Sequence, residues 1–200
     1  MPADFVFLAS ASPRRRELLR QIGVACRVLK VAVDESVQSL ETPTDYVARL
    51  AVLKADTGWN TQASHDAVVL AADTSVVLHG EIFGKPQNAA DGAAMLLKLS
   101  GQTHEVLTAV AVRTAAGTAC RVSRSEVTFR AIEPAEASAY WGTGEPQDKA
   151  GGYAVQGLGA IFIAHLNGSF SGVMGLPLFE TAALLTGAGV PHWRAPENNT

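Results

Sequence analysis

LASASPRRRELLRQIG, residues 8–23, decides how the chain is read. Its first residues close a short apolar strand, FVFLA at 5–9, and the remainder is a helix. Ser12 suits the N-cap, and Pro13 suits the first helical position, where a missing N–H costs nothing. Leu18, Leu19 and Ile22 form an apolar stripe, and Gly23 ends the helix. A strand that feeds a helix this early points to α/β alternation. The same stretch holds a contradiction. Arg14, Arg15 and Arg16 crowd the first turn, where the helix dipole is already positive.

Working outward, CRVLKVAV (26–33) reads as a second strand that ends at Asp34 and Glu35. Thr42 and Pro43 start a helix that runs to about Trp59. AVVLAAD (67–73) is wholly apolar up to its aspartate and reads as a central strand, continued by TSVVLHGEIFG (74–84) with a turn at His79-Gly80. Asn88 caps a helix through Leu99, and residues 104–132 hold two long strands around Ala116-Gly117. A helix is expected over 133–142, a glycine-rich loop over KAGGYAVQG (149–157). AIFIAHLNGSFSGVMG (160–175) holds a strand, an Asn167-Gly168 turn and a loop, and Pro177 opens a last helix. The fold class is therefore α/β: a mixed twisted sheet flanked by helices.

Composition narrows the function classes. A chain of 200 residues suits one domain, and 48% hydrophobic with 18% charged residues describes an ordinary core. A net charge of −3 gives no general attraction to nucleic acid or acidic membranes, which makes the arginine cluster a local feature. Cys26 and Cys120 are too few for a disulfide framework and have no zinc-type histidine spacing beside them. Reduced thiols in a cytoplasmic protein follow. No secretory signal and no membrane span are expected, and the PENNT tail, from about residue 195, reads as disordered.

Three carboxylates, Asp34, Glu35 and Asp73, fall at expected strand ends, the edge where open α/β sheets bind ligands. Each could instead be a turn residue or a helix cap. Lys54 follows Val47, Leu50 and Ala51 on the inward stripe of its helix, so it either snorkels to water or meets an anion. Lys85 lies in FGKPQ, in a tight loop. Phosphate resolves the arginine contradiction. A helix start offers free N–H groups to an anion, and arginines grip phosphate oxygens in two-point fashion. No Walker-type or dinucleotide glycine motif is present. Phosphate near carboxylates calls for a divalent metal between them, the set-up of metal-assisted phosphoryl or nucleotidyl chemistry.

LASASPRRRELL (8–19) resembles the signature of the Maf family of nucleoside triphosphate pyrophosphatases, named for septum-formation inhibition. The resemblance continues in order through VDES (33–36), Lys54 in LAVLKA, AADTSV (71–76), GKP (84–86), SGQTHEVLTAV (100–110), DKAGGYAVQG (148–157) and NGSFSGVMGLPLFET (167–181). It implies a fold similar to the inosine-triphosphate pyrophosphatases over a single domain, 1–200. The site would lie in a cleft between two lobes, and the chain would form a homodimer. It also implies cleavage between the α- and β-phosphates of a nucleoside triphosphate, with no nucleic-acid or membrane partner.

Carried over to this sequence, the resemblance makes Asp73 the proton acceptor and Glu35 the acidic residue that helps hold a divalent cation (Mg²⁺, Mn²⁺ or Co²⁺) together with Asp73. Ser10, Ser12, Arg14, Arg15, Lys54 and Lys85 match the phosphate-binding and catalytic set; Arg14, Thr74 and Gln156 match positions tied to substrate choice. Gln156 in YAVQG resembles the branch that takes dTTP and UTP, because an amide both donates and accepts and so suits an imide edge. Two other readings stay open: a 7-methyl-GTP pyrophosphatase of the same family, and a non-catalytic nucleotide-binding regulator of cell division. Ala109 and Gly172 depart from the family pattern at positions that touch no proposed catalytic group.

Overall fold

A computed structural model describes residues 5–62 and 66–193; the expected disordered tail lies outside the described residues. Strand β1 (Val6–Leu8) leads into helix α1 (Pro13–Gln21), then β2 (Cys26–Val28) and α2 (Pro43–Asn60). Strand β3 (Val69–Leu78), β4 (Glu81–Phe83), α3 (Ala89–Leu99), β5 (Thr103–Thr114) and β6 (Gly117–Phe129) follow. The chain continues with α4 (Pro134–Gly142), three 3-10 turns, β7 (Ile163–Asn167), α5 (Phe170–Met174) and α6 (Leu178–Gly187). The strands make one seven-stranded sheet in the order β2-β1-β3-β5-β6-β7, with β4 paired to β3. It is mixed: β1 runs parallel to β2 and β3, while β3–β4 and β6–β7 are antiparallel. The expected fold class, a mixed sheet with helices, is what forms.

Local chemistry accounts for the element ends. Thr42 accepts the Asp45 N–H and Asn88 accepts the Asp91 N–H, each a side-chain cap. Gly23 takes φ +73 just beyond α1 and donates its N–H to Arg20 O, as a helix-ending glycine should. His79 and Gly80 both have positive φ, which gives β3–β4 the tight hairpin turn that matches strand twist. Some element boundaries differ from expectation. CRVLKVAV is a strand only at 26–28, because β2 is an edge strand and its partner β1 stops at Leu8, opposite Val28. Leu29 still donates to Leu8 O, and the ladder ends there. Ser12 does occupy the expected N-cap position, without a side-chain capping hydrogen bond. The expected loop after Gly168 contains α5, where Ser169 Oγ accepts the Gly172 N–H.

The chain divides into two compact units. The first comprises 1–73, 108–123 and 175–200; the second comprises 74–107 and 124–174. In the first, Leu8, Leu18, Leu19, Leu50, Leu70 and Leu185 are fully buried. Helix α2 comes close to the sheet because Gly58 faces it: a Cβ there would meet Val69 Cγ1 at 3.0 Å and Ala9 Cβ at 3.1 Å. The second unit is built around Phe129, Phe162, Leu96, Leu99, Tyr140 and Tyr153. There α3 and α4 pack closely, with Trp141 where a Cβ on Gly92 would be.

Candidate active site

Residues 9–12 connect the end of β1 to α1, and Ser10 organises them. Its Oγ accepts the Ser12 N–H at 3.2 Å and a hydrogen from Arg15 Nη1 at 3.0 Å. Arg15 Nε donates to Gly175 O at 2.7 Å, so the third residue of α1 is fixed against a distant loop of the same unit. Burial lowers the Arg15 pKa, and Arg14 adds to that, while Asp73 and Glu35 oppose it. The arginine cluster is thus resolved into unlike parts. Arg15 is oriented, Arg14 is half-buried and Arg16 is exposed.

Asp73 does not end a strand, as its sequence position suggested; β3 runs through it to Leu78. It lies three residues past Leu70, the last β3 residue registered against β1, so it stands just beyond the parallel part of the sheet. Lys54 on α2 does not snorkel. Its Nζ lies 2.7 Å from Asp73 Oδ1 and 2.6 Å from Glu35 Oε1. The Lys54 and Asp73 side chains are only 13% and 12% exposed, whereas Glu35 is 56% exposed. Asp34 takes the plain role of a turn residue, accepting the Ser36 N–H.

Glu35 sits not at a strand end but in the irregular segment after β2, and two α2 residues hold that segment. Tyr46 donates its hydroxyl hydrogen to Glu35 O at 2.9 Å, and Arg49 Nη2 donates to Ser36 O at 3.0 Å. Arg49 also grips Glu41 with two hydrogen bonds, which hold that carboxyl down to about 2. Burial raises the Tyr46 pKa, and the charges of Asp73 and Glu35 raise it further. Sequence reading missed Tyr46 and Arg49, since only the folded packing of α2 against residues 35–41 reveals them.

In the second unit, Thr74 is half-buried on β3, and Lys85 and Gln156 are exposed. Lys85 follows Gly84, whose carbonyl accepts the Gly151 N–H at 3.0 Å. That bond ties the lysine loop to the glycine-rich segment. Gly151 has φ +69 and sits so tightly on Val76 that a Cβ would lie 2.9 Å from its Cγ2. The structure therefore brings Glu35, Lys54 and Asp73 into one charged group in the first unit, with Arg15, held by Ser10, in electrostatic reach of it, and holds the Lys85 loop and the glycine-rich loop together in the second.

A family model described as Maf, Maf-like protein, matches residues 5–188. The chain belongs to the Maf family. This Maf-like chain is 53% identical over 191 residues to a dTTP/UTP pyrophosphatase of Saccharophagus degradans, covering 94% of this chain and 91% of that one. It is 54% identical over 185 residues to a dTTP/UTP pyrophosphatase of Methylococcus capsulatus, covering 92% and 91%. Among solved structures it is similar to the Ham1 protein of Staphylococcus aureus, with a TM-score of 0.48, 13% identity, and 91% and 98% of the two chains covered.

Among the described residues no group of three or more His, Cys, Asp or Glu side chains could hold a metal ion unaided. The Glu35–Asp73 pair of this Maf-like chain nonetheless offers two carboxylates, the oxygen donors that hard divalent cations take. Both carboxylates already converge on one positive centre, the Lys54 ammonium. No described helix is long and apolar enough to cross a membrane.

Proposed function

We infer that this chain is a nucleoside triphosphate pyrophosphatase acting on dTTP and UTP. The observation that carries this reading is the Glu35–Lys54–Asp73 chain, set within electrostatic reach of Arg15 at a helix start. The names of relatives that share about half their residues with it over most of their length supply the substrates.

In this reading Asp73 accepts a proton from a water aimed at the α-phosphorus. The water oxygen bonds to that phosphorus, the bond to the bridging oxygen breaks, and pyrophosphate leaves with the electron pair. Lys54 holds the Asp73 carboxylate in place through its 2.7 Å hydrogen bond. The α1 start, with Ser10, Ser12, Arg14 and Arg15, holds phosphate oxygens and opposes the charge that develops on the leaving group. Lys85 adds a further cation. Glu35 and Asp73 would hold a divalent cation such as Mg²⁺, Mn²⁺ or Co²⁺, which supplies Lewis-acid charge to the phosphates when bound. Gln156, with Arg14 and Thr74, reads the nucleotide, its amide matching the alternating acceptor and donor of a pyrimidine imide.

The reading includes a homodimer, supported by the family resemblance, and a cytoplasmic setting, supported by the two free thiols Cys26 and Cys120. A pyrophosphate-release assay over a nucleotide panel tests it. dTTP and UTP should be turned over with metal present, and the Asp73→Asn protein should be nearly inert. Selective turnover of 7-methyl-GTP, or binding without turnover, would replace this reading.

A further inference from the structure

Gln156 stands in a short span whose backbone is held on both sides by two side chains from α4 and the 3-10 turn Glu145–Asp148. Before it, the Ala154 N–H donates to the Tyr140 hydroxyl oxygen at 3.1 Å. After it, the Leu158 N–H donates to Glu145 Oε2 and the Gly159 N–H to Glu145 Oε1, both at 3.0 Å. The circuit is closed by Tyr140, which donates its own hydrogen to Glu145 Oε1 at 2.6 Å. One phenol and one carboxylate thus fix residues 154, 158 and 159, while Val155 is buried and Gln156 is presented outward.

The glycines of the span show how closely it is drawn down. A Cβ on Gly157 would lie 2.0 Å from Glu145 Oε2, and one on Gly159 would lie 2.6 Å from the Tyr140 hydroxyl. Gly157 has φ −116, an ordinary value, so glycine stands there for space and not for backbone freedom. Burial raises the Glu145 carboxyl, but the bonds from Tyr140, Gly159 and Leu158 outweigh it and hold the group ionised below its ordinary value.

We propose that Glu145, acting through Tyr140 and the loop backbone, is the positioning residue that orients Gln156 for base discrimination. The proposal rests on the reading of Gln156 given above. The physical need is plain. A glutamine amide presents a donor at one end and an acceptor at the other. On a loose loop it can turn over and match cytosine as readily as uracil or thymine; on a backbone held on both sides it offers one order only. Discrimination then depends on a carboxylate that acts through other atoms.

The test compares kcat/KM for dTTP and dCTP in the full-length wild-type protein and in the Glu145→Gln, Tyr140→Phe and Gln156→Ala variants, with thermal melting of each. Glu145→Gln and Tyr140→Phe should lower the dTTP-to-dCTP ratio about tenfold, through a higher KM for dTTP, with dCTP turnover changed about twofold or less. Tyr140→Phe removes only one hydroxyl, so it decides the matter should Glu145→Gln fail to fold. An equal loss for both nucleotides, or an unchanged ratio in a folded variant while Gln156→Ala lowers it, overturns the role of Glu145 and leaves that of Gln156 standing. An unchanged ratio in Gln156→Ala overturns both.

Discussion

Lys54 donates a 2.7 Å hydrogen bond to Asp73, joining the inward face of a helix to a carboxylate in the middle of a buried strand. The largely buried Asp73 carboxylate depends on this partner, whereas Lys54 also meets Glu35 at 2.6 Å. Lys54→Met should therefore cost about 3 kcal/mol in stability by leaving a largely buried carboxylate unpaired. Lys54→Met with Asp73→Asn should cost less than the sum of the two single changes, because the pair is lost only once. Urea unfolding of the four proteins of the cycle measures this; additive costs would mean that the two side chains do not depend on each other.

Tyr46 and Arg49 hold the segment bearing Glu35 from the same helix that supplies Lys54. Tyr46→Phe removes one hydrogen bond and should change stability by about 1 kcal/mol or less. Its larger effect should be on metal use. The Mg²⁺ concentration needed for half-maximal turnover should rise several-fold while KM for dTTP at saturating metal stays near the wild-type value. A rise in KM alone would place Tyr46 on the substrate instead.

Gly58→Ala should drive α2 off the sheet, since the new methyl carbon would meet Val69 and Ala9 at 3.0–3.1 Å. Overpacking of this kind costs about 1–3 kcal/mol. The position sits one turn beyond Lys54, so kcat should fall further than the stability change explains. Wild-type activity in a destabilised Gly58→Ala protein would show that the Lys54 contacts tolerate a shift of the helix.

His104 gives the pH prediction. It is buried in the core of the second unit, its Nε2 lies 2.8 Å from the Tyr153 hydroxyl, and burial lowers its pKa to about 4. The unfolded chain takes up this proton near pH 6.5 and the folded chain only near pH 4, so the stability is whole above 6.5 and drains away as pH falls toward 4. A shift of this size corresponds to roughly 3 kcal/mol. Melting temperature should drop between pH 7 and pH 5 more steeply in the wild type than in His104→Gln, which cannot titrate. Parallel slopes would remove His104 as the cause.

Much of this was legible in the sequence for definite reasons. Thr42-Pro43 and Asn88 announce helix starts because caps are local chemistry, and 67–78 announces a central strand because it is apolar on both faces. Lys54 was legible as a charge on the wrong face. What stayed hidden depends on partners remote in the chain. The end of β2 is set by where β1 stops, not by the strand-forming residues at 29–33. Helix α5 is only five residues long, and its start is marked by one residue, Ser169, whose hydroxyl caps it. Tyr46, Arg49, Tyr140 and Glu145 carry no local signal, because their work is to hold backbone brought near only by folding.

Hydrolysis of dTTP in ¹⁸O-labelled water, with product analysis by mass spectrometry, decides where the activated water goes. An Asp73-bound water aimed at the α-phosphorus places the label in dTMP and leaves pyrophosphate unlabelled. Label in pyrophosphate, or release of orthophosphate and dTDP, would contradict the account.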